Sequence, residues 1–181
     1  PKGVLSSHRN ILATLISWAL FFTIRTQMAN DSKSDDQLDT SDKNAPSILH
    51  CVPLFHVTGS HAGFLMSVLS GRKMVLMSKW DVSLALELIQ NEKITAITGV
   101  PTQTWDILNH PEKDKYDLSS LVDLSGGGAP RPPEHVKRLN DEMEGKPSIG
   151  YGLSETNALG TLNAGDDYLK HPSSCGRAVP P

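Results

Sequence analysis

Cysteine is scarce in this chain of 181 residues, which holds only Cys51 and Cys175. So few cysteines do not build the dense disulfide framework of small secreted domains. We therefore expect free buried thiols in a protein that is cytoplasmic or organelle-associated and not secreted. The formal net charge of −3 means that there is no basic excess, which argues against a nucleic-acid-binding surface.

Long apolar runs are also missing. The longest runs from 11 to 24 and ends at Arg25, which is shorter than the ~20 residues that a membrane span needs. It predicts a buried helix with Ser7 at its N-cap and gives no strong membrane signal. Apolar residues recur at helical spacing and predict one buried face, made of Ile11, Leu12, Leu15, Ile16, Ala19 and Leu20.

Strand and helix patterns alternate through the rest of the chain. Strands are predicted at 47–53, 73–77, 94–98, 121–124, 148–151 and 159–162. Helices are predicted at 59–69, 82–92, 102–110 and 132–144, with Asp81 as an N-cap and Gly71 as a stop. This alternation predicts an α/β fold, a mostly parallel sheet flanked by helices on both faces.

Four segments follow predicted strands, beginning at His56, Pro101, Gly126 and Tyr151. Ligands bind beyond the carboxyl ends of the strands in such sheets, so we expect these segments to face one crevice. The segment Gly150–Thr156 is the most informative of them. Its aromatic ring suits a purine, its Ser154 hydroxyl suits a phosphate, and its Glu155 carboxylate suits Mg²⁺, which prefers oxygen ligands.

Five motifs stand in a fixed order along the chain: Pro1-Lys2-Gly3, Pro53-Leu54-Phe55-His56-Val57-Thr58-Gly59, Gly99-Val100-Pro101-Thr102, Ser125-Gly126-Gly127-Gly128-Ala129-Pro130, and Gly150-Tyr151-Gly152-Leu153-Ser154-Glu155-Thr156. In this order and spacing the chain resembles the AMP-forming adenylating superfamily, in particular the acyl-CoA synthetases and 4-coumarate–CoA-ligase-like enzymes. The resemblance covers nearly the whole chain except the polar stretch from 29 to 46. It implies an enzyme that activates a fatty or aryl carboxylic acid with ATP, using Mg²⁺, and transfers the acyl group to coenzyme A.

The resemblance also assigns roles to individual residues. It implies catalytic roles for Lys2, Ser154 and Glu155, with Glu155 as the Mg²⁺ ligand. It implies an acid-binding wall made of His56, Val57, Gly59 and Gly127. It implies an ATP or AMP site made of Gly126, Gly127, Gly128, Ala129, Pro130, Gly150, Tyr151, Gly152 and Ser154. Ser154 stands where most family members carry threonine, so the hydroxyl is kept and the methyl group is lost.

The resemblance further predicts the organisation of the chain. Residues 1–28 hold the end of the phosphate loop and the first helix, and 29–46 form a polar surface loop that is expected to be disordered. Residues 47–164 form the nucleotide- and acyl-binding subdomain, and 165–181 begin another. Since only the last three residues of the phosphate loop are present, we expect an internal fragment of a large N-terminal domain, inactive by itself and prone to self-association through uncovered apolar faces.

Two alternatives remain open from the sequence. One is an adenylation domain of the peptide-synthetase type, which would transfer its product to a carrier protein. The other is a non-catalytic remnant that binds a nucleotide. For the favoured reading the resemblance implies a small-molecule carboxylic acid and coenzyme A as substrates, and no nucleic-acid partner is expected.

Overall fold

The computed structural model describes residues 3–31 and 44–179. Its strands are β1 Ser47–His50, β2 Lys73–Leu76, β3 Ala96–Gly99, β4 Asp123–Gly127, β5 Lys146–Tyr151, β6 Thr161–Ala164 and β7 Arg177–Ala178. Its α-helices are α1 His8–Asp31, α2 Met66–Ser70, α3 Val82–Glu92, α4 Pro101–Asn109, α5 Pro133–Glu142 and α6 Asp166–Lys170. A π-helix, Thr58–Leu65, leads directly into α2.

All seven strands belong to one sheet, in the order β2-β1-β3-β4-β5-β6-β7. The first five strands in this order are parallel, and β6 and β7 are antiparallel additions at one edge. The chain leaves β1 toward β2 and then returns past β1 to β3, so the direction of winding reverses between β1 and β3. Parallel sheets that reverse in this way bind ligands at the carboxyl ends of the strands, where the crevice opens. The predicted mostly parallel α/β sheet is confirmed.

One face of the sheet carries the main hydrophobic core. Leu49, Ile97 and Leu124 lie side by side on β1, β3 and β4, and each is almost fully buried. They pack with apolar residues of α3 and α4, which are Ala85, Leu86, Ile89, Ile107 and Leu108. Burial of each large side chain contributes roughly 1.5–3 kcal/mol, so this layer is the main source of stability. The predicted cap of α3 is present, since the Leu84 N–H donates to Asp81 Oδ1 at 3.0 Å.

The opposite face is covered by the π-helix. His50 points away from the main core, because successive strand residues face opposite sides of a sheet. Its ring lies against Gly63, where an added Cβ would come within 2.3 Å of the imidazole. Helix α1 packs on the π-helix in turn. Helices therefore cover both faces, as predicted, and Gly71 ends α2 with a left-handed φ of 66°.

The buried face of α1 differs from the predicted one. Leu15 and Trp18 are buried, whereas Leu12, Ile16 and Leu20 are 57%, 62% and 52% exposed. Spacing predicts that a helix has an apolar side, but the neighbouring helix decides which apolar residues it covers. None of the helices in the described part of the chain is both long enough and apolar enough to span a membrane.

Smaller differences arise at the ends of elements. Helix α1 continues to Asp31, past the point where the polar loop was expected to begin, and residues 32–43 of that loop lie outside the described residues. Strand β2 was predicted to be buried but is half exposed, because β1 is its only neighbour and it lies at the edge of the sheet. Cys51 and Cys175 are both free, as predicted, but Cys175 is exposed. Helix α6 and strand β7 were not predicted, since elements of five and two residues leave no periodic pattern.

Candidate active site

Lys2 lies outside the described residues. The other predicted site residues lie on segments that leave the same edge of the sheet. The parallel strands β1, β3, β4 and β5 all end at this edge. Neighbouring segments also touch. A Cβ added at Gly99 would lie 3.4 Å from Val52 Cγ2, and one added at Gly128 would lie 3.9 Å from Val100 Cγ1. The fold therefore brings the segments after these four strands into one continuous surface.

The segment after β1 forms a tight turn before the π-helix. The His56 N–H donates to the Pro53 carbonyl at 3.1 Å, and the buried Gly59 follows. A Cβ at Gly59 would lie 2.2 Å from the Pro53 carbonyl oxygen, so the turn itself requires glycine there. His56 is exposed, and its Nδ1 accepts a hydrogen bond from the Thr58 N–H at 3.3 Å. In the neutral ring this leaves the proton on Nε2, the nitrogen not held by the turn.

Cys51 lies at the start of the same segment. The Gln103 side-chain amide donates to its Sγ at 2.8 Å. Burial nevertheless raises the pKa of the thiol to about 11, against the opposing effect of that hydrogen bond. Because the thiolate is the nucleophilic form, the raised pKa disfavours Cys51 as a nucleophile.

The glycine-rich segment begins within a strand. Gly126 and Gly127 are the last two residues of β4, and Gly128 follows with a φ of 76°. A Cβ at Gly126 would lie 2.6 Å from the Arg131 guanidinium, and one at Gly127 would lie 3.1 Å from the carbonyl oxygen of Gly150. Glycine at these two positions therefore lets neighbouring parts of the chain pack closely. Gly128, Ala129 and Pro130 are exposed at the edge, and their predicted role in the nucleotide site stays a prediction.

Arg131 is the principal residue that the sequence analysis missed. It is 3% exposed, and its guanidinium donates to the carbonyls of Ser148 at 3.1 Å and Leu124 at 3.3 Å. It therefore ties β4 to β5 directly below the glycine-rich segment. Burial lowers its pKa, and Tyr168 and then Asp123 oppose that effect. Burial raises the pKa of Asp123, against the Ser125 hydroxyl hydrogen bond and the positive charges of Arg72 and Arg131.

The segment after β5 is a short 3₁₀ turn, Ser154–Thr156, which exposes Ser154 and Glu155. Thr156 holds the turn closed. Its Oγ1 accepts from the Leu153 N–H at 2.9 Å and lies 3.0 Å and 3.1 Å from the carbonyl oxygens of Leu153 and Ala158. Gly152 is required by the same turn, since a Cβ there would overlap the Ala158 carbonyl.

Two residues with positive φ follow this turn, Asn157 at 53° and Ala158 at 92°. Such residues cost free energy and concentrate at functional sites. Tyr151 stands at the end of β5 and is 53% exposed, so its ring is accessible beside the glycine-rich segment on β4. The end of β5 and the turn that follows it therefore expose an aromatic ring, a hydroxyl and a carboxylate.

The donor set at the turn fits one particular kind of Mg²⁺ site. Among residues 3–31 and 44–179, no three His, Cys, Asp or Glu side chains are close enough to hold a metal ion together. An all-protein cage is thus not formed by the described residues. Mg²⁺ in phosphate-transferring sites is instead held by one or two carboxylates, with waters and substrate phosphates completing the shell. The single exposed carboxylate of Glu155 suits that arrangement.

The doubly wound sheet defines the chain as an α/β domain, a fold in which ligands bind beyond the carboxyl ends of the strands. The particular family follows from comparison with known sequences: the model of the AMP-binding enzyme family matches residues 1–181, and the chain belongs to this family. The predicted membership of the adenylating superfamily is confirmed.

Relatives of known activity are CoA ligases. The chain is 34% identical over 163 residues to a long-chain-fatty-acid–CoA ligase of Bacillus subtilis, which covers 90% of this chain and 26% of the relative. It is 31% identical over 183 residues to the mitochondrial medium-chain acyl-CoA ligase ACSF2 of Mus musculus, covering 99% of this chain and 28% of the relative. The chain thus spans about a quarter to a third of the length of these relatives.

A solved structure supports the same assignment. The crystal structure of the N-terminal domain of FACL13 from Mycobacterium tuberculosis superimposes with a TM-score of 0.79 at 26% identity. The match covers 99% of this chain and 41% of that one. The predicted likeness to an adenylating-enzyme N-terminal domain is confirmed at the level of the fold.

Proposed function

We propose that the complete protein is an acid–thiol ligase that forms an acyl-CoA in two steps. A carboxylate oxygen of the acid attacks the α-phosphorus of ATP, which releases pyrophosphate and gives an acyl-AMP. The sulfur of coenzyme A then attacks the acyl carbonyl, and AMP leaves with the electrons of the broken bond. The observation that carries this proposal is the joining, at one sheet edge, of the His56 segment and the turn that exposes Ser154 and Glu155.

Each exposed group at this edge has a part in the first step. The Tyr151 ring is accessible for stacking on the adenine base, and the Ser154 hydroxyl can donate to a phosphate oxygen. Glu155 would hold Mg²⁺, which supplies positive charge that offsets the negative charge on the phosphates. His56 presents Nε2 beside the place proposed for the acid, since its Nδ1 is held by the Thr58 N–H.

The relatives favour coenzyme A as the acceptor of the acyl group. Those described above are named as ligases of long-chain and medium-chain acids with CoA. We therefore place coenzyme A ahead of a carrier protein, and a fatty or aryl acid ahead of an amino acid. The inactivity expected of the 181-residue chain alone stays a prediction that the same assay tests.

Glu155→Gln in the complete enzyme tests the proposal. The amide keeps the shape of the side chain but loses the charge that attracts Mg²⁺, so we expect acid-dependent pyrophosphate exchange to fall at least tenfold, which is about 1.4 kcal/mol. Acetate, medium-chain, long-chain and aromatic acids are compared as substrates, with free coenzyme A and a carrier protein as competing acceptors.

The matched control is Glu87→Gln. Glu87 is an exposed glutamate on α3, away from the carboxyl ends of the strands, and its replacement should leave the exchange rate unchanged. Unchanged pyrophosphate exchange in Glu155→Gln would contradict the metal role. Absence of acid-dependent exchange in the unaltered enzyme with all four classes of acid would contradict the proposed function as a whole.

A further inference from the structure

Three hydroxyl groups form a row across one face of the sheet. Thr98 on β3, Ser125 on β4 and Ser148 on β5 are paired with one another in the register of the parallel strands. Their neighbours Ile97 and Leu124 point into the main core, so the row lies on the opposite face, where the π-helix packs over β1 and β3. All three side chains are half-buried, which leaves them accessible to a small molecule on this face.

A groove on the same face leads from the carboxyl edge of the sheet to this row. Two residues nearer to the edge, Gly127 on β4 is paired with Gly150 on β5. Apart from the adjacent residues of the chain, a Cβ added at Gly127 would have only the Gly150 backbone within 4 Å, with the carbonyl oxygen at 3.1 Å. Leu159 lies beside this space, because its Cδ1 occupies the place that a Cβ at Gly150 would take. The groove therefore has a glycine floor and an apolar side wall, which suit a carbon chain.

The protons of the two serines are already used within the row. The Ser125 hydroxyl donates to Asp123 Oδ1, and the Ser148 hydroxyl donates to Ser125 Oγ at 3.1 Å. Since a hydroxyl has one proton and two lone pairs, both serines still have lone pairs to offer and no proton. The Thr98 hydroxyl has no hydrogen bond within residues 3–31 and 44–179, so its proton and its lone pairs are all available.

This pattern of donors and acceptors selects a particular functional group. A ligand hydroxyl can accept from Thr98 and donate to Ser125, so it satisfies both side chains. A carbonyl group only accepts and an ammonium group only donates, so each of them leaves one side chain unpaired. A second carboxylate would in addition face the charge of Asp123, which accepts the Ser125 proton. The row therefore matches a hydroxyl group.

The spacing of the row fits one hydroxyl and fixes where on the ligand it lies. Thr98 and Ser125 lie on neighbouring strands about 4.8 Å apart, a gap that one hydroxyl spans with two hydrogen bonds of about 2.8 Å. Along β4, Ser125 is two residues, or roughly 6.6 Å, from Gly127, which belongs to the predicted acid-binding wall. The group that reaches the row is therefore remote from the carboxyl group of the acid.

We propose that the acid substrate carries a hydroxyl group remote from its carboxyl group, and that Thr98 and Ser125 bind this hydroxyl at the end of the groove. The proposal rests on the proposed function, since it takes Gly127 to line the acid-binding site. Ser148 and Asp123 act through Ser125, because their hydrogen bonds keep its oxygen an acceptor. A site built to bond a substrate hydroxyl discriminates strongly against the analogue without it, because its own polar groups are then left unpaired.

The test compares matched acids in the complete enzyme. Acid-dependent pyrophosphate exchange is measured with a medium-chain acid, with its derivatives that carry one hydroxyl next to the carboxyl group, in mid-chain or at the far end, and with the oxo acid of the preferred position. Thr98→Val removes the hydroxyl and keeps the branched shape of the side chain, whereas Thr98→Ser keeps the hydroxyl. Thr23→Val is the matched control, because the Thr23 hydroxyl is exposed on α1 and donates to the Ala19 carbonyl of the same helix.

The hydroxyl site predicts a specific pattern of preference. In the unaltered enzyme, kcat/KM for the hydroxy acid exceeds that for the plain acid about tenfold at one of the two remote positions, with no preference when the hydroxyl is next to the carboxyl group. Thr98→Val lowers this ratio about fivefold, whereas Thr98→Ser and Thr23→Val keep most of it. The oxo acid falls between the hydroxy acid and the plain acid. No preference at any position, a ratio that survives Thr98→Val, or an equal loss in Thr98→Ser would each overturn the proposal.

Binding measurements separate this proposal from the proposed function. Calorimetry of the same acids without ATP should show tighter binding of the hydroxy acid than of the plain acid, and Thr98→Val should remove the difference. If plain acids support pyrophosphate exchange and the hydroxyl gives no advantage in rate or binding, the hydroxyl site alone fails. If no acid supports exchange but the hydroxy acid binds in a way that depends on Thr98, the ligase function alone fails and the hydroxyl site stands.

Discussion

The requirement for glycine at position 126 offers the sharpest test of how the site is built. The Cβ of Gly126→Ala would lie 2.6 Å from Arg131 Nη2 and 3.4 Å from Cζ, distances that force the guanidinium to move. That group has little room, because Arg131 is 3% exposed and is held by the carbonyls of Ser148 and Leu124. The replacement therefore strains or breaks bonds to a buried charge.

The expected cost follows from these bonds. A hydrogen bond to a charged group is worth roughly 1.5–3 kcal/mol, and replacing glycine within a strand recovers roughly 0.5–1 kcal/mol. With the two guanidinium bonds disturbed, we expect Gly126→Ala to lose about 2–4 kcal/mol of stability. Because the matched N-terminal domain is longer than this chain, we expect each kcal/mol to lower Tm by less than the roughly 2–4 °C that is typical of 150–250 residues. Thermal unfolding of the complete enzyme, followed by calorimetry, measures the shift of the transition that contains this domain.

Arg131→Met supplies the background in which the same change should be tolerated. A flexible apolar side chain of similar length removes the charge and gives way to the new methyl group. Gly126→Ala should then cost at least about 1.5 kcal/mol less than it does beside arginine, as a double-mutant cycle would show. Equal costs in both backgrounds would refute the packing explanation. So would a Gly126→Ala enzyme that unfolds normally but loses AMP, since its glycine would then serve the ligand alone.

Two further predictions concern the fold. His135 is buried between α4 and α5, and its pKa is lowered to about 4 by burial and by the charges of Arg131 and Arg138. Since the unfolded chain takes up this proton nearer pH 6.5, stability should fall as pH drops from about 6.5 to about 4, and His135→Gln should flatten that part of the Tm–pH profile; an unchanged slope would contradict the assignment. Asp81→Ala removes the cap of α3 and should cost about 1 kcal/mol in urea unfolding, whereas Asp81→Ser should keep most of that stability. Unchanged stability of Asp81→Ala would show that the cap contributes nothing.

The periodic spacing of apolar residues was sufficient to predict the larger helices and strands. Helix α3 has the predicted bounds and cap, because an aspartate, an apolar stripe and a following turn all act within one short stretch. Alternation of strands and helices was likewise enough for a mostly parallel sheet, since parallel strands need crossovers that a helix provides. The outward side of α1 was predicted wrongly, because it depends on the placement of the π-helix and not on the spacing of apolar residues.

The roles of the candidate site residues stay predictions, and no local pattern pointed to the residues that support them. The exposed residues Tyr151, Ser154 and Glu155 belong to a contiguous motif, so their nearness to one another follows from the chain itself. Arg131 gave no such signal, since an arginine between exposed prolines has the pattern of a surface residue.

The sequence by itself determined where the larger strands and helices lie and which family the chain resembles, because these depend on neighbours along the chain. Tertiary structure alone decided that Arg131 lies beneath Gly126 and that α1 buries Trp18. These contacts join segments that are brought together only when β1, β3, β4 and β5 align in one sheet. Packing between distant segments is set by the shape of the whole fold, and a local pattern of residues carries no record of it.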